Sequence, residues 1–181
     1  MNLLCLGASV IELALTAVLS VSVVYLTLRA LIRTNTDFDE DKALLQGNLA
    51  VGILVAALLI GSAHIMYRAF EPAVDLLRGY ITNAHARCFS VGRLILVTFG
   101  DLALAFLAVV ASMSIALRIF GRLTRAHGLR AGQELEKGNA AVGILLAGVV
   151  AIVSLFMGGG VEALSKAVLP SAPVGSLRIM R

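Results

Sequence analysis

From Ala43 to Tyr67 the chain runs 25 residues without an Asp, Glu, Lys or Arg, and from Gly138 to Val161 it does so again for 24. A helix rises about 1.5 Å per residue, so each run is long enough to cross the roughly 30 Å hydrocarbon core of a bilayer. Two further stretches pass with one acid apiece: Met1 to Leu28 holds only Glu12, and Leu94 to Leu117 only Asp101. With 59% hydrophobic and 14% charged residues, a chain of 181 has too much apolar side chain to hide in one soluble core. The sequence therefore predicts an all-α membrane protein with four transmembrane helices. A cleaved secretory signal needs a positive region ahead of its apolar stretch, and no Lys or Arg precedes Arg29, so the first helix is expected to be retained.

The four helices fall into two related pairs. GNLAVGIL at residues 47–54 returns as GNAAVGIL at 138–145, 91 positions later. Upstream, Glu12-Leu13-Ala14-Leu15 matches Asp101-Leu102-Ala103-Leu104 and Leu28-Arg29 matches Leu117-Arg118, both at an offset of 89. Downstream, Met66 pairs with Met157 and Glu71 with Glu162 at 91. The reading is two tandem copies of a helix, charged loop and helix, at residues 1–69 and 93–165. Two crossings per copy return the chain to its starting side, so the copies are parallel, unlike the inverted repeats of many transporters. Residues 70–92 read as an amphipathic linker, because Phe70, Val74, Leu77 and Ile81 recur at helical spacing, as in a short helix on the membrane surface. Residues 166–181, with two prolines and a glycine, read as a flexible tail.

Several polar and small residues invite a role. A carboxylate at the centre of a membrane helix costs about 2.5 to 3.5 kcal/mol on insertion scales, which makes Glu12 and Asp101 the first candidates. Facing each other at one depth, they would share a proton or a cation. Each also lies 17 residues before its arginine, Arg29 or Arg118, about 25 Å along a helix, so interfacial carboxylates near helix N-termini are the competing reading. Gly47-Asn48 and Gly138-Asn139 precede the second and fourth helices, where an asparagine oxygen accepts from orphan backbone N–H groups. Gly52 with Ala56, and Gly143 with Ala147, form small-xxx-small pairs that let helices approach closely. Thr16, Ser20, Ser22, Thr27, Ser112 and Ser114 read as hydrogen-bonding links between helices rather than a pore lining. His64 reads as an interface histidine, and Gly158-Gly159-Gly160 as a place where the fourth helix frays or bends. Cys5 and Cys88 fall on one side of the membrane, which permits a disulfide without requiring one.

No nucleophile motif, phosphate loop, dinucleotide fingerprint or zinc spacing occurs, so neither a catalytic residue, a metal nor a cofactor is expected. The net charge of +4 sits at helix ends and loops, which suits lipid headgroups and not nucleic acid. The first helix has no Lys or Arg at its leading end and Arg29 and Arg33 at its trailing end, which favours both termini outside the cytoplasm.

Where DFDEDKALLQGNLAVGIL enters the second helix, the chain resembles the YjfL-like bacterial inner-membrane proteins, a domain-of-unknown-function family. Gly47-Asn48-Leu49-Ala50 and Gly138-Asn139-Ala140-Ala141 both fit that family's doubled element, and the likeness covers residues 8 to 165. The resemblance implies a bacterial inner-membrane protein with two tandem two-helix units and partners in envelope-stress or membrane-remodelling systems. Together with the helix-packing residues, it leads to the expectation of an oligomeric scaffold or anchor presenting charged cytoplasmic loops. The alternative is a small ion or proton channel or transporter using the membrane carboxylates, and an enzyme acting on lipid is the least supported class.

Overall fold

A computed structural model describes residues 3–35, 40–82, 90–126 and 130–169. Four long helices carry the fold: α1 (Leu3–Asn35), α3 (Leu49–Thr82), α4 (Val91–Ala126) and α6 (Ala140–Val168). Two single-turn helices, α2 (Glu40–Leu45) and α5 (Ala131–Glu136), lie immediately before α3 and α6. Among the described residues there is no strand, and all four long helices are long and apolar enough to cross a membrane.

The Gly-Asn phrase is where a short helix ends and a long one begins. Gly47 and Gly138 have φ of +74° and +81°, the left-handed region in which a side chain costs roughly 1–2 kcal/mol. Each glycine N–H returns to a carbonyl three residues back, Gly47 to Leu44 and Gly138 to Leu135. The next N–H reaches five back, Asn48 to Ala43 and Asn139 to Glu134, which completes a Schellman turn. The same asparagines then serve the following helix: Asn48 Oδ1 accepts from Val51 N and Asn139 Oδ1 from Ala141 N, both at 3.2 Å. Two consecutive residues thus satisfy the backbone at the end of one helix and the start of the next.

Helices α3 and α6 form the principal contact and run side by side in the same direction. Ala50 faces Gly143 at one end, Gly61 faces Val150 and Ser154 midway, and Arg68 meets Glu162 towards the other. The approach at Gly143 is backbone to backbone: a Cβ placed there would lie 2.6 Å from the Ala50 carbonyl oxygen and 2.9 Å from its Cα. Helix α1 runs antiparallel to α3, with Thr27 beside Ser62 and Glu12 beside Arg78. Helix α4 runs antiparallel to α6, placing Asp101 near Ser165 and setting Met113 against the Gly61 level. Ile65, Val51, Val109, Met113 and Val150 are fully enclosed where α3, α4 and α6 meet. Half of the α3 span is buried against 11% of the α1 span, so α3 is the central helix and α1 a peripheral one.

Three readings of the sequence are revised. Residues 70–82 are not a separate surface helix; they continue α3 without a break, since Phe70, Pro72 and Ala73 extend its buried face. Pro72 sits inside that helix, a placement that membrane helices tolerate when neighbours cover the freed backbone. The Gly158-Gly159-Gly160 run neither frays nor ends α6, because the helix continues to Val168 with Gly158 packed against the His64 imidazole. Gly52 does not do what Gly143 does: its nearest neighbour is the Leu44 methyl at 4.0 Å, and Ala56 is exposed.

Gly143→Ala should lower the unfolding free energy in mixed detergent by about 1–3 kcal/mol, because the new methyl meets backbone that cannot swing aside. Gly148→Ala, one turn further along α6 and open within 4 Å, should be neutral or stabilising by about 0.5–1 kcal/mol.

Candidate functional site

Two clusters of polar side chains stand at opposite ends of the bundle. At the loop end, the Asn48 amide nitrogen donates to the Leu135 carbonyl at 2.8 Å and the Glu136 carbonyl at 3.1 Å. These are the last carbonyls of α5; that of Leu135 already accepts from Gly138 N–H in the turn, and Asn48 adds a donor to both. Asn48 therefore caps the start of α3 with its oxygen and the end of α5 with its nitrogen, binding the two halves of the sequence together. Asn139 does not reciprocate: its nitrogen donates to Glu134 Oε2 at 3.1 Å, within its own loop. Glu134 also accepts from Lys137 Nζ at 2.9 Å. The Lys137 ammonium and the Asn139 amide hold the Glu134 carboxyl below the usual carboxylate range.

At the opposite end the membrane acids have separate partners. Arg78 Nη2 donates to Glu12 Oε2 at 2.6 Å, in a pair that is half exposed. Asp101 is 2% exposed and lies near Ser165, and its Oδ2 has no hydrogen-bond partner among the described residues. Nearby, Glu162 bridges Arg68 at 3.2 Å and Lys166 one turn along. Glu12 and Asp101 are thus not each other's hydrogen-bonding partners. The difference is one of environment: the first half supplies Arg78, and the position 91 residues later is Leu169, which has no charge to offer.

Most of the hydroxyls serve their own helices. Thr16 donates to the Glu12 carbonyl, Ser20 to Ala17, Ser22 to Val18 and Ser112 to Val109. Such back-bonds satisfy a hydroxyl in an apolar medium without another helix. Thr27 is different: it donates to Ser62 Oγ at 3.1 Å, and Ser62 bonds back to α3 carbonyls. Both residues are buried, so this pair fastens α1 to α3. Ser62, Ser165 and Arg78 were not singled out from sequence. A small polar residue at helical spacing with buried neighbours, as Ser62 is with Leu58 and Ile65, was the available signal for the first. Among the described residues, no group of three or more His, Cys, Asp or Glu side chains converges as a metal site would. His85, His127, Cys88, Asp37 and Asp39, with the side chains of Cys5, Glu40 and Asp41, lie outside the described set.

Asn48→Ala should destabilise the protein by about 1–3 kcal/mol, since it removes an N-cap and a bridge to α5, whereas Asn139→Ala should cost about 1 kcal/mol. Unfolding in mixed detergent measures both, and equal losses would mean that the bridge contributes nothing.

A model of one protein family, described as Domain of Unknown Function (DUF350), matches residues 5–161. No curated protein and no solved structure matches the chain.

Proposed function

We propose, on the footing that the chain belongs to the DUF350 family, that it is a non-enzymatic integral membrane protein acting by assembly. Copies pack in the bacterial inner membrane and present their charged loop face to membrane-associated partners, of the envelope-stress or membrane-remodelling kind. The observation that carries this is the bond from Asn48 to the end of α5, which fixes α2 and α5 relative to each other. Short helices held in that way are preorganised for docking, because they need no further ordering when a partner arrives. Lys42, Arg130, Glu134, Glu136 and Lys137 supply charge of both signs there. The arginines at the trailing ends of α1 and α4 favour a cytoplasmic placement for that face, with both termini on the other side. The matching spellings of the two halves support descent from a duplicated two-helix unit, and the parallel course of α3 and α6 agrees with it. Detergent-solubilised protein should have a protein mass of two or more times the 19.0 kDa of one chain. A strict monomer, together with unchanged partner binding after Asp37→Asn, Asp39→Asn, Glu40→Gln and Asp41→Asn, would remove the proposal.

One observation favours a second reading, a small ion or proton conductor. A carboxylate oxygen buried without a partner is costly, and membrane proteins keep such groups for proton or cation pathways. With Glu12 held by Arg78, that role would rest on Asp101. Proteoliposomes should then pass protons or monovalent cations, Asp101→Asn should abolish the flux, and Glu12→Gln should leave most of it. Absence of flux in the wild-type protein eliminates this reading.

A further inference from the structure

The α3/α6 contact joins two helices with matching sequences through faces that do not match. Helix α3 contributes the face of Ala50, Leu54 and Gly61, whereas α6 contributes that of Gly143, Val150 and Ser154. Shifting by the repeat offset of 91, the α6 counterpart of the first face is Ala141, Leu145 and Ile152, and the α3 counterpart of the second is Gly52, Leu59 and Ala63. The α6 counterpart is open, with Leu145 55% and Ile152 58% exposed and Ala141 exposed, and the α3 counterpart is partly open, with Ala63 exposed and Gly52 and Leu59 half-buried. Each helix therefore uses only one of the two matched faces in the α3/α6 contact, and its other face, open on α6 and partly open on α3, spells the half that its partner contributes.

From this we infer that the outer face of α6 docks on the outer face of α3 in a second copy of this protein, repeating the internal contact between molecules. The inference rests on the assembly reading and specifies its interface. Ala141 would meet Gly52 as Ala50 meets Gly143, an alanine and a glycine in both cases. The polar bridge has its counterpart as well. Asn139 corresponds to Asn48, and the Leu44 and Leu45 carbonyls that end α2 correspond to those of Leu135 and Glu136. Leu44 is only half-buried where its counterpart Leu135 is 4% exposed, as expected of a seat awaiting a neighbour. Because α3 and α6 run in the same direction, each added copy enters the bilayer with the orientation of the last. The contact is head to tail, so it leaves one face of each kind free at the ends and closes into a ring or extends as a row. The match weakens away from the loops. Ile152 stands at the counterpart of Gly61 and Tyr67 at that of Gly158, so neighbouring copies meet closely at the loop end and diverge beyond it.

The test is disulfide trapping in native membranes, on a background of Cys5→Ser and Cys88→Ser. Gly52→Cys and Ala141→Cys in separate chains should cross-link to a dimer when co-expressed. The double variant should give a ladder of multimers, and neither single variant should link to itself. The shifted pair Ala141→Cys and Ala63→Cys, about 16 Å out of register, should give nothing. Gly52→Leu, whose Cβ meets only a Leu44 methyl at 4.0 Å within its own chain, should weaken association at least tenfold by mass measurement in detergent while the helical circular-dichroism signal is kept. Self-linking of the Gly52→Cys variant would reveal a twofold interface and overturn the inference. Oligomers that show no link between residues 52 and 141 and are indifferent to Gly52→Leu would also overturn it while leaving assembly standing. A wild-type monomer would remove the inference together with the assembly on which it rests.

Discussion

The Ala50 carbonyl and the Gly143 Cα meet with no room for a side chain between them, and the rest of the bundle is arranged around that approach. In lipid no hydrophobic force draws one apolar helix to another, so association depends on how closely the surfaces fit and on the few polar bonds between them. Backbone contact at one end of α3 and α6 admits Val51, Val109, Met113 and Val150 to a shared, fully enclosed interior further along. Helix α1, which lacks such a contact, is held to α3 by Thr27 on Ser62 and by the Glu12 pair with Arg78. Its long apolar side chains, Leu13 and Val21 among them, remain exposed to whatever surrounds the protein.

Chain length and charge spacing made the four crossings legible, because a helix that spans a bilayer must avoid charge for some 20 residues and few other structures impose that rule. The Gly-Asn phrases marked the two junctions because a left-handed turn and a helix cap each demand a narrow set of residues. What followed from three-dimensional placement was not legible. Residues 70–82 carry a surface-helix pattern, yet the same spacing serves equally to extend the buried face of α3, and periodicity alone cannot say what lies opposite. The six candidate hydroxyls looked alike in sequence, and only Thr27 has Ser62 within reach. Gly52 and Gly143 occupy identical phrases, but a glycine's role depends on the helix that approaches it.

The two membrane acids teach the same lesson in electrostatic terms. Glu12 and Asp101 occupy equivalent places in the sequence, while their surroundings depend on residues more than 60 positions away. Arg78 neutralises the first at the edge of the bundle, and the second lies in its interior near Ser165. Matching places in the sequence thus have unequal surroundings, with charge balanced in one half and an acid enclosed without a cation in the other.

The bond from Asn48 to the end of α5 spans 87 residues of chain and so imposes an order on biosynthesis. When the first hairpin leaves the ribosome, the acceptors for its amide have not yet been translated, and α6, which will cover the inner side of α3, is still to come. The early hairpin must therefore wait in the lipid with its best surface bare. Maturation of this protein is completed from its C-terminal half, when α5 and α6 arrive together.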